Sequence, residues 1–175
     1  MSSDRRHWLP FLMVGLCLAG PLRAQEDHPP SDGGSYAVFE QLNALEIALA
    51  RVAAERGDAE QVRGLGQRIA AEQEAMQHQG RELGRRLHIF GDPPADPLGS
   101  YAATVSRLLA TPRAEFDAAY LKQELVFQRN VSGMLADMLP SVRDPALTDF
   151  LKEAGRSFER HRNAVEAVAR QLTPE

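Results

Sequence analysis

The chain has 175 residues, with 20 lysines and arginines against 24 aspartates and glutamates, which gives a formal net charge of −4 at pH 7. This acidic, mixed composition lacks the basic footprint of a nucleic-acid-binding protein, so we exclude nucleic acid as a partner. The single cysteine, Cys17, excludes a fold held together by disulfides. About 150 residues are enough for one domain with its own hydrophobic core.

Residues 1–24 have the layout of a secretory signal peptide. Arg5 and Arg6 form a positive start, an apolar run from Trp8 to Gly20 follows, and Ala24 offers a small residue for cleavage. The run is short for a membrane span, although an uncleaved anchor is the alternative. Cleavage after Ala24 leaves 17 basic and 23 acidic residues, a net charge of −6, and no integral membrane segment. We expect export to the periplasm or cell envelope, by the general or the twin-arginine route.

After the signal, a polar leader at residues 25–34 is rich in proline and glycine and is expected to be flexible. A helical domain over residues 35–175 follows, since apolar residues recur at helical spacing and no strand-like alternation appears. The predicted helices cover about residues 35–56, 58–87, 100–109, 112–139 and 145–172.

Start and stop signals mark the ends of these helices. Gly57 ends the first helix, and Asp58 is a candidate N-cap for the second. Thr111-Pro112 and Asp144-Pro145 each place a capping residue directly before a proline, which is typical of a helix start. The first and last pairs of long helices have short joins and should be antiparallel hairpins, while the longer link between them allows a crossover. The glycines of the second helix allow either a bend or a close helix contact; they are Gly64, Gly66, Gly80 and Gly84.

Four polar residues occupy core-facing positions, one on each long helix. They are Glu46, Glu72, Glu124 and His161. Burying such groups without partners costs several kcal/mol, so they indicate either a buried polar network or a metal site. A network would also include Gln73, Tyr120 and Gln128. Alternatively, the glutamates lie at the edge of the apolar stripe of each helix and pair with Arg68 or Arg129.

The metal alternative is a single iron, manganese or zinc ion held by Glu46, Glu72, Glu124 and His161. A di-iron centre is not expected, because it needs two Glu-x-x-His pairs. Ala75 follows Glu72 by three residues and Phe158 precedes His161 by three, so both pairs are missing. A lone histidine on an apolar face is more often a hydrogen-bonded core residue than a ligand, which favours the structural network.

Several segments resemble a known family. The motif at residues 66–73 resembles the second-helix motif of the DUF4142 family, and residues 116–120, Phe-Asp-Ala-Ala-Tyr, resemble the start of that family's third long helix. Residues 45–50 and the last helix with His161 are also similar to the corresponding segments of that family. The resemblance covers about residues 36–172. It implies a ferritin-like fold and an exported bacterial protein of uncharacterised function, often labelled as a predicted outer-membrane protein.

The chain departs from the family pattern at two histidines. Relatives typically have Asp-His where this chain has Glu72-Gln73, and again where it has Phe127-Gln128. Glutamine is a poor ligand for transition metals, so the resemblance favours the fold and disfavours a metal site in this member.

We therefore expect an all-α protein, a ferritin-like up-down four-helix bundle with a short extra helix in the crossover between its second and third long helices. The leading functional hypothesis is a non-catalytic envelope protein with a buried polar network and no cofactor. The alternative is a mononuclear metal-binding or storage protein. The sequence does not identify a protein partner, and it is compatible with a homodimer.

Overall fold

The computed structural model describes residues 31–89 and 99–172, and these residues form helices without strands. Five α-helices are present: α1 (Asp32–Arg56), α2 (Glu60–Leu87), α3 (Gly99–Ala110), α4 (Arg113–Met138) and α5 (Pro145–Leu172); a 3-10 turn at Leu139–Ser141 follows α4. The prediction of an all-α protein with four long helices and one short helix is confirmed. The predicted signal peptide and residues 25–30 of the predicted leader lie outside the described residues.

Helix α1 begins three residues earlier than predicted. The hydroxyl of Ser31 accepts a hydrogen bond from the backbone N–H of Gly34 at 3.2 Å, which caps the helix. Residues 32–34, predicted as the end of the flexible leader, are therefore the first turn of α1.

The start of α2 is capped from another helix. Asp58 was the candidate cap, but α2 begins at Glu60 and its own N-cap residue makes no side-chain hydrogen bond. Instead, the carboxylate of Asp117 on α4 accepts the backbone N–H groups of Asp58 and Ala59 at 2.9 and 2.7 Å. A carboxylate suits this position because the N-terminus of a helix carries partial positive charge.

Helix α5 starts as the sequence predicts. The carboxylate of Asp144 accepts the backbone N–H groups of Ala146 and Leu147 at 2.8 and 3.1 Å. Asp32, in the first turn of α1, accepts those of Arg143 and Asp144. The first turn of α1 is therefore joined to the residues that lead directly into α5, and both helices start at the same end of the molecule.

Contacts between the long helices give their directions. Tyr36 and Gly66 mark opposite ends of the α1–α2 contact, since Tyr36 lies against Gly84 and Gly66 lies against Ala50. Helices α1 and α2 are therefore antiparallel, and α4 and α5 form a second close pair. Glu46 contacts Gln128 and Arg56 stacks over Phe116, so α1 and α4 are also antiparallel. Consequently α2 and α4 run in the same direction, as the predicted crossover between them requires.

A continuous hydrophobic core lies between the long helices. Its largest fully buried side chains include Tyr120, Phe39, Phe116, Phe127 and Phe158. Phe39 of α1 meets Phe150 of α5 edge to face, with ring centroids 4.9 Å apart. Burial of this apolar surface is the main force that holds the helices together.

Gly66 of α2 allows a close approach of the α1 backbone. A Cβ atom added at Gly66 would lie 2.5 Å from the carbonyl oxygen of Ala50 and 2.6 Å from the nitrogen of Ala54, whereas at Gly64 it would meet nothing within 4 Å. Close contact, one of the two explanations that the sequence left open, therefore applies at Gly66. Within the described ranges, no helix is long and apolar enough to cross a membrane.

A buried polar network as the candidate functional site

The structure brings most of the predicted site residues together in the centre of the core. Six polar side chains are almost completely buried there: Glu46, Gln73, Tyr120, Glu124, Gln128 and His161. Glu72 differs, because 52% of its side chain is exposed and only its carboxylate reaches inward. The ion-pair partner of both Glu46 and Glu72 is His161, and neither glutamate pairs with Arg68 or Arg129 in the described part of the chain.

Helical spacing places these groups on the core face of their helices. On α4, Tyr120, Glu124 and Gln128 follow one another at intervals of four residues, which aligns them along one side. On α5, His161 lies between the buried residues Phe158 and Val165. The polar groups therefore share stripes with the hydrophobic residues that hold the helices together.

The carboxylate of Glu46 is the centre of the network. It accepts hydrogen bonds from the side-chain amides of Gln73, at 2.5 Å, and Gln128, at 2.6 Å. Its Oε1 atom also lies 2.8 Å from Nδ1 of His161. Glu46 thus links α1 to α2, α4 and α5, and three hydrogen bonds compensate the loss of its hydration.

The imidazole of His161 lies between two carboxylates. Glu46 contacts its Nδ1 atom, and Glu72 lies 2.9 Å from its Nε2 atom. Both ring nitrogens must carry hydrogen to donate to two carboxylates, so this geometry favours the imidazolium. Burial lowers the pKa of His161, but the hydrogen bonds and charges of Glu46 and Glu72 outweigh it, so the pKa is raised above 6.5.

The carboxyl group of Glu124 is in a different environment. Complete burial, together with the nearby charge of Glu46, raises its pKa from 4.5 to about 8, despite a hydrogen bond from Gln128 at 2.7 Å and the charge of His161. Glu124 is therefore protonated at neutral pH. Burial, with the charges of Glu124 and Glu46, also raises the pKa of Tyr120 well above 10.

Some buried atoms of the network have no hydrogen-bond partner among the described residues. They include the Tyr120 hydroxyl and one side-chain oxygen of each of Gln73, Glu124 and Gln128. The carboxylic acid of Glu124 can place its proton on the unpaired oxygen. Orphaned atoms in the interior are costly, which makes the network sensitive to any change in charge or shape.

The predicted metal ligands do not surround one point. Glu46 and Glu72 contact opposite nitrogens of the His161 ring, and the amide of Gln128 bridges Glu46 and Glu124. In the described residues, no group of three or more histidine, cysteine, aspartate or glutamate side chains is arranged to hold a metal ion. The cluster can instead hold or release a proton, because burial and neighbouring charges shift the pKa values of Glu124 and His161.

One buried polar residue near the network is absent from the sequence-based set. The side-chain amide of Asn43, fully buried on α1, donates to the backbone carbonyl oxygen of Gln73 at 3.0 Å. Asn43 follows Phe39 by four residues and precedes Glu46 by three, so helical spacing alone could have placed it on the core face.

Comparison with known proteins identifies the family but not an activity. No curated protein and no solved structure matches this chain. A family model described as a domain of unknown function, DUF4142, matches residues 19–168, which is most of the sequence. The resemblance in the helical motifs is thereby confirmed, and the chain belongs to the DUF4142 family.

Proposed function

We propose that this chain is an exported, non-catalytic protein of the periplasm or cell envelope, built as a ferritin-like four-helix bundle around a structural polar network. The layout of residues 1–24 supports export. The direction of the long helices supports the bundle, since α1 and α5 run against α2 and α4.

The structural role rests on one observation: both ring nitrogens of His161 contact carboxylates. A catalytic histidine needs a ring nitrogen that faces its substrate, and a metal ligand needs a free lone pair. In this protein Nδ1 faces Glu46 and Nε2 faces Glu72, so both positions are filled by carboxylates. The cluster joins all four long helices, and such a buried polar cluster selects one arrangement of helices over alternatives.

A single metal ion is the second candidate, and the accessibility of Glu72 favours it. Glu72 and His161 meet at the edge of the core, where half of the glutamate side chain is exposed. A zinc, iron or manganese ion could replace the proton on Nε2 of His161 and take Glu72 as its second ligand. Glu46 contacts the other ring nitrogen, Nδ1, and would act on such an ion through His161, whereas Glu124 is hydrogen-bonded to Gln128.

Metal content distinguishes the two candidates. We expect residues 25–175, purified without chelator, to contain less than stoichiometric zinc, iron and manganese by mass spectrometry. We also expect an unchanged melting temperature when each metal is added, because both ring nitrogens are occupied. His161→Ala tests the site, and His78→Ala, which removes an exposed histidine of α2, is the matched control. Near-stoichiometric metal that is lost in His161→Ala but kept in His78→Ala would establish the metal-binding function instead.

A further inference from the structure

A second feature lies away from the network, at the C-terminal end of α2. A cavity of about 400 Å³ opens there between α1 and α2. Its lining includes Tyr36, Glu40, His78, Arg81, Arg85 and Ile89. This volume lies in the range of pockets that bind small molecules.

The end of α2 forms the apolar part of this cavity. His88 adopts a left-handed conformation with φ of 52°, and the backbone N–H of Ile89 donates to the carbonyl oxygen of Gly84 at 3.0 Å. This C-terminal cap turns the chain back, so that Ile89 forms a wall. A Cβ atom at Gly84 would lie 3.0 Å from the ring of Tyr36, so the glycine lets that ring lie close to the α2 backbone.

Positive charge prevails at the mouth of the cavity. The carboxylate of Glu40 accepts a hydrogen bond from the Tyr36 hydroxyl at 2.9 Å and lies 3.5 Å from Nε of Arg81. Glu40 therefore offsets Arg81. Arg85 donates to the carbonyl oxygen of Arg81, and it has no carboxylate partner within the described residues. His78 is exposed at the same mouth.

We propose that this cavity binds a small organic carboxylate, an activity beyond the proposed structural function of the network. The guanidinium of Arg85, assisted by Arg81, holds the carboxylate, since a planar guanidinium matches the two oxygens of such a group. The ring of Tyr36 and the side chain of Ile89 contact the apolar body of the ligand. These apolar walls favour an organic acid over inorganic phosphate.

Benzoate and inorganic phosphate are suitable probes. We expect benzoate, titrated into the purified full-length chain, to shift the backbone amide signals of Gly84 and Ile89 in NMR spectra saturably and at one site. Phosphate should bind more weakly than benzoate. Arg85→Gln should weaken benzoate binding about tenfold, which corresponds to one hydrogen bond between charged groups. Arg86→Gln is the matched control, because Arg86 is exposed and adjacent in sequence but does not line the cavity.

A variant with the opposite effect sharpens the test. Glu40→Gln keeps an oxygen that accepts from Tyr36 but removes the carboxylate that competes with an anionic ligand for Arg81, so benzoate should bind more tightly. The proposal is overturned if benzoate causes no saturable shift, or if Arg85→Gln and Arg86→Gln bind it equally. Weaker binding to Glu40→Gln than to the parent, or phosphate binding more tightly than benzoate, would also overturn it. Each variant is exposed or half-buried, and its melting temperature reports separately whether it folds.

Discussion

The protein is expected to lose stability as the pH rises from about 5 to about 9, and Glu124→Gln is expected to remove most of that loss. The pKa of Glu124 is about 8 in the folded protein against 4.5 as its ordinary value. Between these values the folded chain binds a proton that the unfolded chain does not, so the free energy of unfolding falls with rising pH. This contribution is fully present below pH 4.5 and is lost above pH 8.

The expected size of this effect is large for a single residue. At 1.36 kcal/mol for each pKa unit, the shift from 4.5 to about 8 corresponds to roughly 5 kcal/mol. The raised pKa of His161 acts in the same direction, because its contribution is present below pH 6.5 and is lost as the pH rises through its folded pKa. Glu124→Gln keeps a neutral, hydrogen-bonding side chain at every pH. Only the pH dependence of stability that is due to His161 should therefore remain.

Urea unfolding at a series of pH values measures this effect. The parent and Glu124→Gln should have similar unfolding free energies near pH 5, and the variant should be the more stable protein near pH 9. Glu82→Gln, which removes an exposed glutamate of α2, is the control and should follow the parent. If the unfolding free energies of the parent and Glu124→Gln changed with pH in parallel over this range, the result would contradict the protonated state assigned to Glu124.

Glu46→Ala is expected to be the most destabilising change in the network. Removing the central carboxylate leaves Nδ1 of His161 and the amide of Gln73 without their acceptor in the core, and the amide of Gln128 keeps only Glu124. Breaking a buried ion pair by removing one partner costs about 3–5 kcal/mol. That is a large share of the total stability of a typical domain.

Glu72→Ala is the matched comparison, because Glu72 contacts the same imidazole from a half-exposed position. Solvent screens this pair, so its loss should cost less than about 1 kcal/mol. Urea unfolding at pH 7 measures the loss of unfolding free energy in both variants. A double-mutant cycle with His161→Ala should also give a larger coupling energy for Glu46 than for Glu72. Equal costs for Glu46→Ala and Glu72→Ala would show that burial does not strengthen the inner pair.

Helical spacing predicted the burial of most network residues, because their positions relative to apolar neighbours repeat every three or four residues. The same reasoning fails for Glu72 and Gln73, which are adjacent and point in directions about 100° apart on a helix, because the spacing does not decide whether one or both of them face the core. The structure places Gln73 inside and Glu72 at the edge. Which of the two faces inward depends on where α1 and α5 pack against α2. The periodicity of α2 carries no information about those positions.

Contacts between distant residues could not be predicted from the sequence. Glu46 and His161 are 115 residues apart, and their contact exists only once α1 and α5 are packed. The raised pKa of Glu124 depends in the same way on its complete burial and, after that, on the nearby charge of Glu46. Likewise, helical spacing places Gly66 on the core face of α2 and Gly64, about 200° away, on another face, but only the position of α1 shows that Gly66 meets its backbone.

A positively charged His161 between Glu46 and Glu72 is the feature on which the network depends, and ¹⁵N NMR of its ring nitrogens tests this charge most directly. Because Nδ1 and Nε2 each contact a carboxylate, we expect both nitrogens to carry hydrogen at pH 7 and the pKa to lie above the ordinary 6.5. A neutral ring at pH 7, with one nitrogen unprotonated, would contradict the account.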